Sequence, residues 1–340
     1  RYFRKIRGSD GSCDLWCRNP NNRQFRNGYR CNRSIVHYGV YHPGHQQKND
    51  RGDREDRNTS TLISVTKSVN REDDNASALA ETRSGMNRYS FRIMTADVDF
   101  REHLHMHALF GMLQEAAARN AEELGWGPVA MDDMNASWII LRMSVRLEKK
   151  PVLSERIFIE TWSRGYERLL FIRDFLIYDS KDSIIGRATS SWIPIDKSSG
   201  KPIRPQFFDQ ISERAYNERK ALFDHAVRLK PFVSDMEYAK DHIEYIKKYA
   251  DYSDIDKNLH VNNTRYIAWS MDAANFANLT QYDMLSADIN YMCEIKHREK
   301  VYLFFASSDD EIRVDGIVEG TGKIAFCCRL HSEVSIGGSK

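Results

Sequence analysis

A short pattern occurs twice in this chain, and the same order of elements follows each copy. The first copy is Asp97-Val98-Asp99 with His103-Leu104-His105 behind it. The second is Asp254-Ile255-Asp256 with Asn258-Leu259-His260 behind it. A strand-like stretch at 87–99 precedes the first copy, with Tyr89, Phe91 and Ile93 on one side. The 3.6-residue spacing of Leu109, Leu113, Ala116, Ala117, Ala121 and Leu124 then predicts a helix over 106–124, and Gly125 suits its C-terminal cap. After the second copy a helix is predicted over 264–278. Tyr266, Ile267, Trp269, Met271, Ala273, Ala274 and Phe276 make it apolar nearly all round, as suits a helix enclosed by a sheet.

A train of strands follows each helix. In the first half they are predicted at 137–147, 156–166, 168–178 and 184–196, with a turn at Asp179-Ser180-Lys181-Asp182. In the second half they are predicted at 287–296, 300–308, 311–319 and 323–334, with a turn at Glu319-Gly320-Thr321-Gly322. Strand, long helix, four antiparallel strands is the order of a hot-dog fold. The fold class is therefore α+β, a tandem (double) hot-dog of two antiparallel sheets, each wrapped around one long helix. The halves are expected at 86–204 and 238–340. A connector at 205–237, helical over 212–227, crosses the sheet surface between them.

Residues 1–85 read differently. All 11 methionines lie at or after Met86, and the upstream part is rich in Arg, Asn, Asp, Gly and Ser without periodic apolar content. It is expected to be disordered or non-native, with translation beginning at Met86. The acidic patch between Asp50 and Asp56 argues against a transit peptide. The expected location is therefore cytoplasmic, and plastid only if this extension is such a peptide. Cys13, Cys17, Cys31, His37, His42 and His45 fit no zinc spacing, so no metal is expected. The six cysteines show no disulfide framework. Lys+Arg 50 against Asp+Glu 48 gives no basic excess to suit nucleic acid, and no apolar run is long enough for a transmembrane helix.

The second copy opens the more interesting chemistry. Two carboxylates, three carboxamides and one imidazole lie within 254–263. Asn262 and Asn263 suit the cap of the helix that follows. On its own such a decapeptide is an ordinary capped turn. Its place at a helix N-terminus, where backbone N–H groups and the dipole favour negative charge, gives it a second use.

Three stretches carry a family resemblance: Leu113-Gln114-Glu115-Ala116-Ala117, Gly186-Arg187-Ala188-Thr189-Ser190-Ser191-Trp192, and 254–269 with its His260-Val261-Asn262-Asn263 core. From Met86 onward the chain resembles the acyl-[acyl-carrier-protein] thioesterases of plants and bacteria. The resemblance implies hydrolysis of a fatty acyl thioester on acyl carrier protein, which ends chain elongation. It places Asp256, Asn258 and His260 in the family's catalytic cluster and matches Glu294 to its later glutamate. Ile295 stands where many relatives have a cysteine, so that cysteine cannot serve as nucleophile here.

On this reading water attacks the thioester and no cofactor is needed. Asn258 and His260 are two apart and share a face if the segment is extended. Asn258 and the first N–H groups of the helix supply oxyanion donors, worth about 3 kcal/mol each. Glu294 is expected on a strand, in a partly desolvated pocket that would raise its pKa and suit it as general base. His260 orients the water or shares the proton, and Asp256 holds Asn258 or His260. Cys293 is the rival nucleophile, but as a strand neighbour of Glu294 it would face the other way. His103, His105 and His107 are expected to be structural, in a degenerate half that holds the acyl chain. Leu113, Ala116, Trp138 and Ile140 are the candidate pocket walls. Arg146, Lys149, Lys150 and the turn at 296–300 are candidate contacts for the acidic carrier protein. One chain closes a pseudo-dimer, so a monomer or a homodimer is expected. The alternatives are an acyl-CoA thioesterase, a hot-dog dehydratase and a non-catalytic acyl-binding module.

Overall fold

The computed structural model describes residues 88–208, 216–275, 284–308 and 310–332. The expectations for 1–85, for Phe276 and for 212–215 fall outside the described residues.

Within this part the duplicated order is built twice. The first half has β1 (Arg88–Arg92), α1 (Met106–Glu123), a short α2 (Pro128–Asp133), β2 (Ala136–Leu147), β3 (Arg156–Glu167), β4 (Leu170–Tyr178) and β5 (Ile184–Asp196). After the connector come α3 (Met236–His242), β6 (Tyr245–Tyr249), α4 (Asn263–Ala274), β7 (Ser286–Tyr291), β8 (Lys300–Ser307), β9 (Glu311–Val318) and β10 (Ile324–His331). All paired strands are antiparallel, in the order β1-β3-β4-β5-β2-β7-β10-β9-β8-β6. The second five strands repeat the first five in reverse, about the β2–β7 seam.

The expected two wraps are thus continuous, forming one ten-stranded sheet. Pairing β2 with β7 leaves neither half an open inner edge. Ser144 lies opposite Asp288 at the seam. The Asp288 carboxylate accepts two hydrogen bonds from Arg146 at 2.9 and 3.0 Å, and Arg329 donates to it at 2.7 Å. Both long helices pack on each other and on the inner faces of the strands, and one apolar core joins the halves. Leu109, Leu113 and Ala116 of α1 and Ile267 and Ala273 of α4 are buried in it.

The connector departs from expectation. No helix forms over 216–227. Its backbone donors go to the sheet instead. Ala221 N–H donates to Asp174 Oδ2 at 2.9 Å, Val227 N–H to Ser144 Oγ at 3.0 Å, and Phe232 and Val233 N–H to Asp315 Oδ2 at 2.7 and 2.9 Å. Buried acceptors on the sheet thus satisfy the donors that a helix would have satisfied internally.

Candidate active site

The second copy of the pattern forms a tight loop. Ile255 bridges to Val261, and Asp256 N–H donates to the His260 carbonyl at 2.9 Å. The Asp256 carboxylate accepts from Asn258 N–H at 2.8 Å, and Leu259 follows with φ +65°. A residue in the left-handed region reverses the chain, so the face shared by Asn258 and His260 in an extended segment does not exist here. The Asn258 side-chain amide lies 3.5 Å from Asp256 Oδ2, a weak contact that leaves the amide available. Asp256 therefore holds Asn258 through its side chain and His260 through the backbone. Asn262 caps α4 by accepting from Thr264 N–H at 2.9 Å. That bond occupies one of the helix donors expected to serve an oxyanion.

Two backbone contacts fasten this loop to the segment after β7. His260 bridges to Lys296, and Val261 N–H donates to the Ile295 carbonyl at 2.9 Å. They bring Glu294 Oε2 to 3.1 Å from His260 Nε2. Glu294 is not on a strand, however. β7 stops at Tyr291, and Met292 and Cys293 both donate to the Ala325 carbonyl, which breaks the ladder. Nor is Glu294 in a desolvated pocket, since its side chain is 58% exposed against 27% for His260. Cys293 is half-buried and packs against the core, and burial pushes its thiol pKa up. Ile295 is fully buried.

A cavity of about 220 Å³ reaches from this loop into the first half. Lys257 and Asn258 line it on the loop side. Ala117, Ala118 and Ala121 of α1, with Trp126, Trp138, Phe171 and Phe208, form much of the remaining wall. Trp138 lines this cavity. Leu113 and Ala116 are not in the wall and lie fully buried in the core. The apolar stripe of α1 is divided: Leu109, Leu113 and Ala116 face the core, while Ala117, Ala121 and Leu124, with Gln114, line the cavity. Ile140 lines a much smaller space beneath the start of α4, beside Asn263 and Thr264. Phe208, in the 3₁₀ turn at Pro205–Phe208, was invisible to periodicity because it lies outside any strand or long helix. Arg146 cannot meet a carrier protein, being buried in its ion pair with Asp288.

The first copy has the same backbone. Val98 bridges to Leu104 and His103 to Val152, Asp99 N–H donates to the His103 carbonyl at 2.9 Å, and Glu102 has φ +63°. Asp99 Oδ1 accepts from Arg101 N–H at 2.8 Å, as Asp256 does from Asn258. Leu104 N–H donates to the Pro151 carbonyl at 2.8 Å, as Val261 does to Ile295. Arg101 thus occupies the place of Asn258, and Lys150, one before Pro151, the place of Glu294. His107 lies on α1 with its ring 4.8 Å from that of His105. Burial, with the nearby charges of His105 and Arg265, pushes its pKa down to about 4.

Among the described residues no group of His, Cys, Asp and Glu could hold a metal ion, and no helix is long and apolar enough to cross a membrane.

Comparison with known proteins matches residues 86–209 to the acyl-ACP thioesterase N-terminal domain and residues 211–323 to the C-terminal domain of the same family. The oleoyl-acyl carrier protein thioesterase of Coriandrum sativum, a chloroplastic protein, is 24% identical over 287 residues, covering 77% of this chain and 76% of that one. The palmitoyl-acyl carrier protein thioesterase of Gossypium hirsutum is 25% identical over 60% of this chain and 51% of its own. Among solved structures, an acyl-ACP thioesterase from Bacteroides thetaiotaomicron aligns with TM-score 0.64 at 23% identity, covering 73% of this chain and 98% of that one. The 12:0-ACP thioesterase of Umbellularia californica aligns with TM-score 0.64 at 19% identity, covering 74% and 98%. These structures share the double hot-dog fold.

Proposed function

This chain belongs to the acyl-ACP thioesterase family, and on that footing we propose that it hydrolyses fatty acyl-[acyl-carrier-protein] by direct attack of water, with Glu294 and His260 as the working pair. The observation that carries the reading is the 3.1 Å contact between Glu294 Oε2 and His260 Nε2, with His260 on the same loop as Asn258, which lines a cavity of mainly apolar wall that His260 and Glu294 themselves do not line. Glu294 takes a proton from water as the water oxygen bonds to the thioester carbon. His260 holds that water and the carboxylate in line. The carbonyl oxygen becomes an oxyanion and accepts from the Asn258 amide, which Asp256 positions through the Asn258 backbone. When the carbonyl re-forms, the C–S bond breaks and the proton passes to the departing thiolate. The products are a free fatty acid and the carrier thiol, so elongation of that chain ends.

Cys293 has no part in this scheme. The thiolate is the nucleophilic form, and burial disfavours it there. The two halves supply loop and cavity within one chain, so a monomer suffices. The acidic patch between Asp50 and Asp56 supports a cytoplasmic location. Import into isolated plastids with trimming near Met86 would overturn that assignment.

The test is thiol release from one acyl group on two carriers, acyl carrier protein and coenzyme A. The reading expects kcat/KM at least about tenfold higher on the protein carrier. A preference for coenzyme A, or no thiol release from either, contradicts it.

A further inference from the structure

Two consecutive side chains at the start of α4 each hold one of the two segments that meet at the site. Arg265 reaches back across the loop, and its Nε donates to Asp254 Oδ1 at 2.6 Å. That carboxylate is buried. Asp254 stands at the neck of the loop: its carbonyl accepts from Asn262 N–H at 2.8 Å, and its Oδ2 accepts from Asp251 N–H at 3.0 Å. The ion pair thus ties the beginning of the segment that carries Asp256, Asn258 and His260 to the helix that follows it. A cation in the first turn of a helix faces the positive end of the dipole, which is unfavourable. The Asp254 carboxylate offsets that cost.

Tyr266 serves the other segment. Its ring is buried, edge-on to Tyr291 and Phe326 with centroids 5.6 and 5.1 Å away. Burial pushes its hydroxyl pKa up, and the Ile295 N–H, donating to the hydroxyl oxygen, works against that. The charges of Cys293, Glu294 and Asp256 are close enough to push it up further. The hydroxyl therefore lies beside the backbone from which Glu294 projects.

The first copy closes its loop without either device. His105 N–H donates to the Asp97 carbonyl at 2.8 Å, and Met94 N–H to Asp97 Oδ2 at 2.9 Å, as in the second copy. Counted from the caps His105 and Asn262, Ala108 stands in the place of Arg265 and Leu109 in the place of Tyr266. Pro151 stands in the place of Ile295 and has no N–H to give. Loop closure requires neither the guanidinium nor the phenol, and both occur in the copy that has the histidine–carboxylate pair.

We propose that Arg265 and Tyr266 are positioning residues that keep His260 and Glu294 in register, Arg265 by tying down the loop and Tyr266 by fixing the backbone beside the carboxylate. This rests on the thioesterase reading above. Neither side chain touches the reacting atoms. Their effect is on alignment, where an error of about 1 Å can cost about a hundredfold in rate.

The experiment uses the full chain and the acyl carrier protein thioester that it turns over fastest, well below the unfolding midpoint of each variant. Arg265→Ala, which copies the first half, is expected to lower kcat about ten- to a hundredfold with KM within about threefold. Arg265→Lys, which keeps the cation, is expected to restore kcat to within about fivefold of the unaltered protein. Tyr266→Phe removes one oxygen and is expected to lower kcat about tenfold. Added to Glu294→Gln it should cost less than about twofold, because the carboxylate it places is already gone. Single variants that lower the unfolding midpoint but keep kcat within twofold overturn the proposal, since the role would then be structural alone. A loss confined to KM overturns it, and so does a Tyr266→Phe loss that is undiminished in the Glu294→Gln background. Should Arg265→Ala not fold, Arg265→Gln takes its place under the same criteria, and the Tyr266→Phe comparison stands by itself. No thiol release by the unaltered protein instead defeats the thioesterase reading.

Discussion

In both halves an aspartate carboxylate turns the chain, a left-handed residue reverses it, and a histidine bridges to the segment after the half's inner strand. Asp99, Glu102 and His103 do this in the first half, and Asp256, Leu259 and His260 in the second. The backbone bonds agree to within about 0.1 Å. The side chains at two flanking places do not agree, with Arg101 against Asn258 and Lys150 against Glu294. A neutral amide donor and a carboxylate suit a thioester and an attacking water. Two cations in the same places offer no general base. The scaffold is shared, and on the proposed mechanism two residues assign the chemistry to one copy, while much of the cavity wall comes from the other half.

The largest contrast expected is between the two histidines. His260→Ala should lower kcat on acyl carrier protein thioesters about 10³-fold, within the range for loss of a positioned acid–base group. His103→Ala should leave kcat within about twofold, although the two backbones match. Equal losses in steady-state assays would break the comparison. A smaller effect is expected at Cys293, whose counterpart in the first half is the exposed Lys149. Cys293→Ala should keep kcat within about threefold of the unaltered protein, and a hundredfold loss would restore the thiol as nucleophile.

How much of this was legible in the sequence depends on range. The duplication, the eight main strands and both long helices rest on periods of 2 and 3.6 residues, which are local. The cluster at 254–263 was visible because a loop at a helix entrance keeps its chemistry contiguous. What was missed depends on partners distant in sequence. The connector over 216–233 is extended because Asp174, Ser144 and Asp315 take its donors. Glu294 leaves the ladder because one carbonyl, Ala325, receives two consecutive N–H groups. Leu113 and Ala116 face core and not cavity, because periodicity finds the apolar stripe of α1 but not which part of it meets the sheet and which the gap.

The smallest effect is on stability and belongs to the first half. His107 has its pKa lowered to about 4 by burial, aided by His105 and Arg265 and opposed by Asp272 and Asp97. Above the unfolded value of about 6.5 both states are neutral at this site, and no stability is lost. As pH falls from there toward 4, the unfolded chain takes up a proton that the folded one refuses. The site then destabilises the fold by at most about 1.4 kcal/mol per pH unit, levelling off below 4. Urea unfolding between pH 7 and 4 should therefore show a shallower acid loss in His107→Gln. Identical slopes would remove His107 from the account.

The central claim is that the carboxylate beside His260 activates water, and Glu294→Gln tests it most directly, with Lys150→Gln as its counterpart in the other half. Glutamine keeps the size and loses the base. The account predicts a fall in kcat of at least about a hundredfold for Glu294→Gln, an unchanged circular dichroism spectrum, and a change within about twofold for Lys150→Gln. A folded Glu294→Gln enzyme that retains kcat within threefold of the unaltered protein would contradict it.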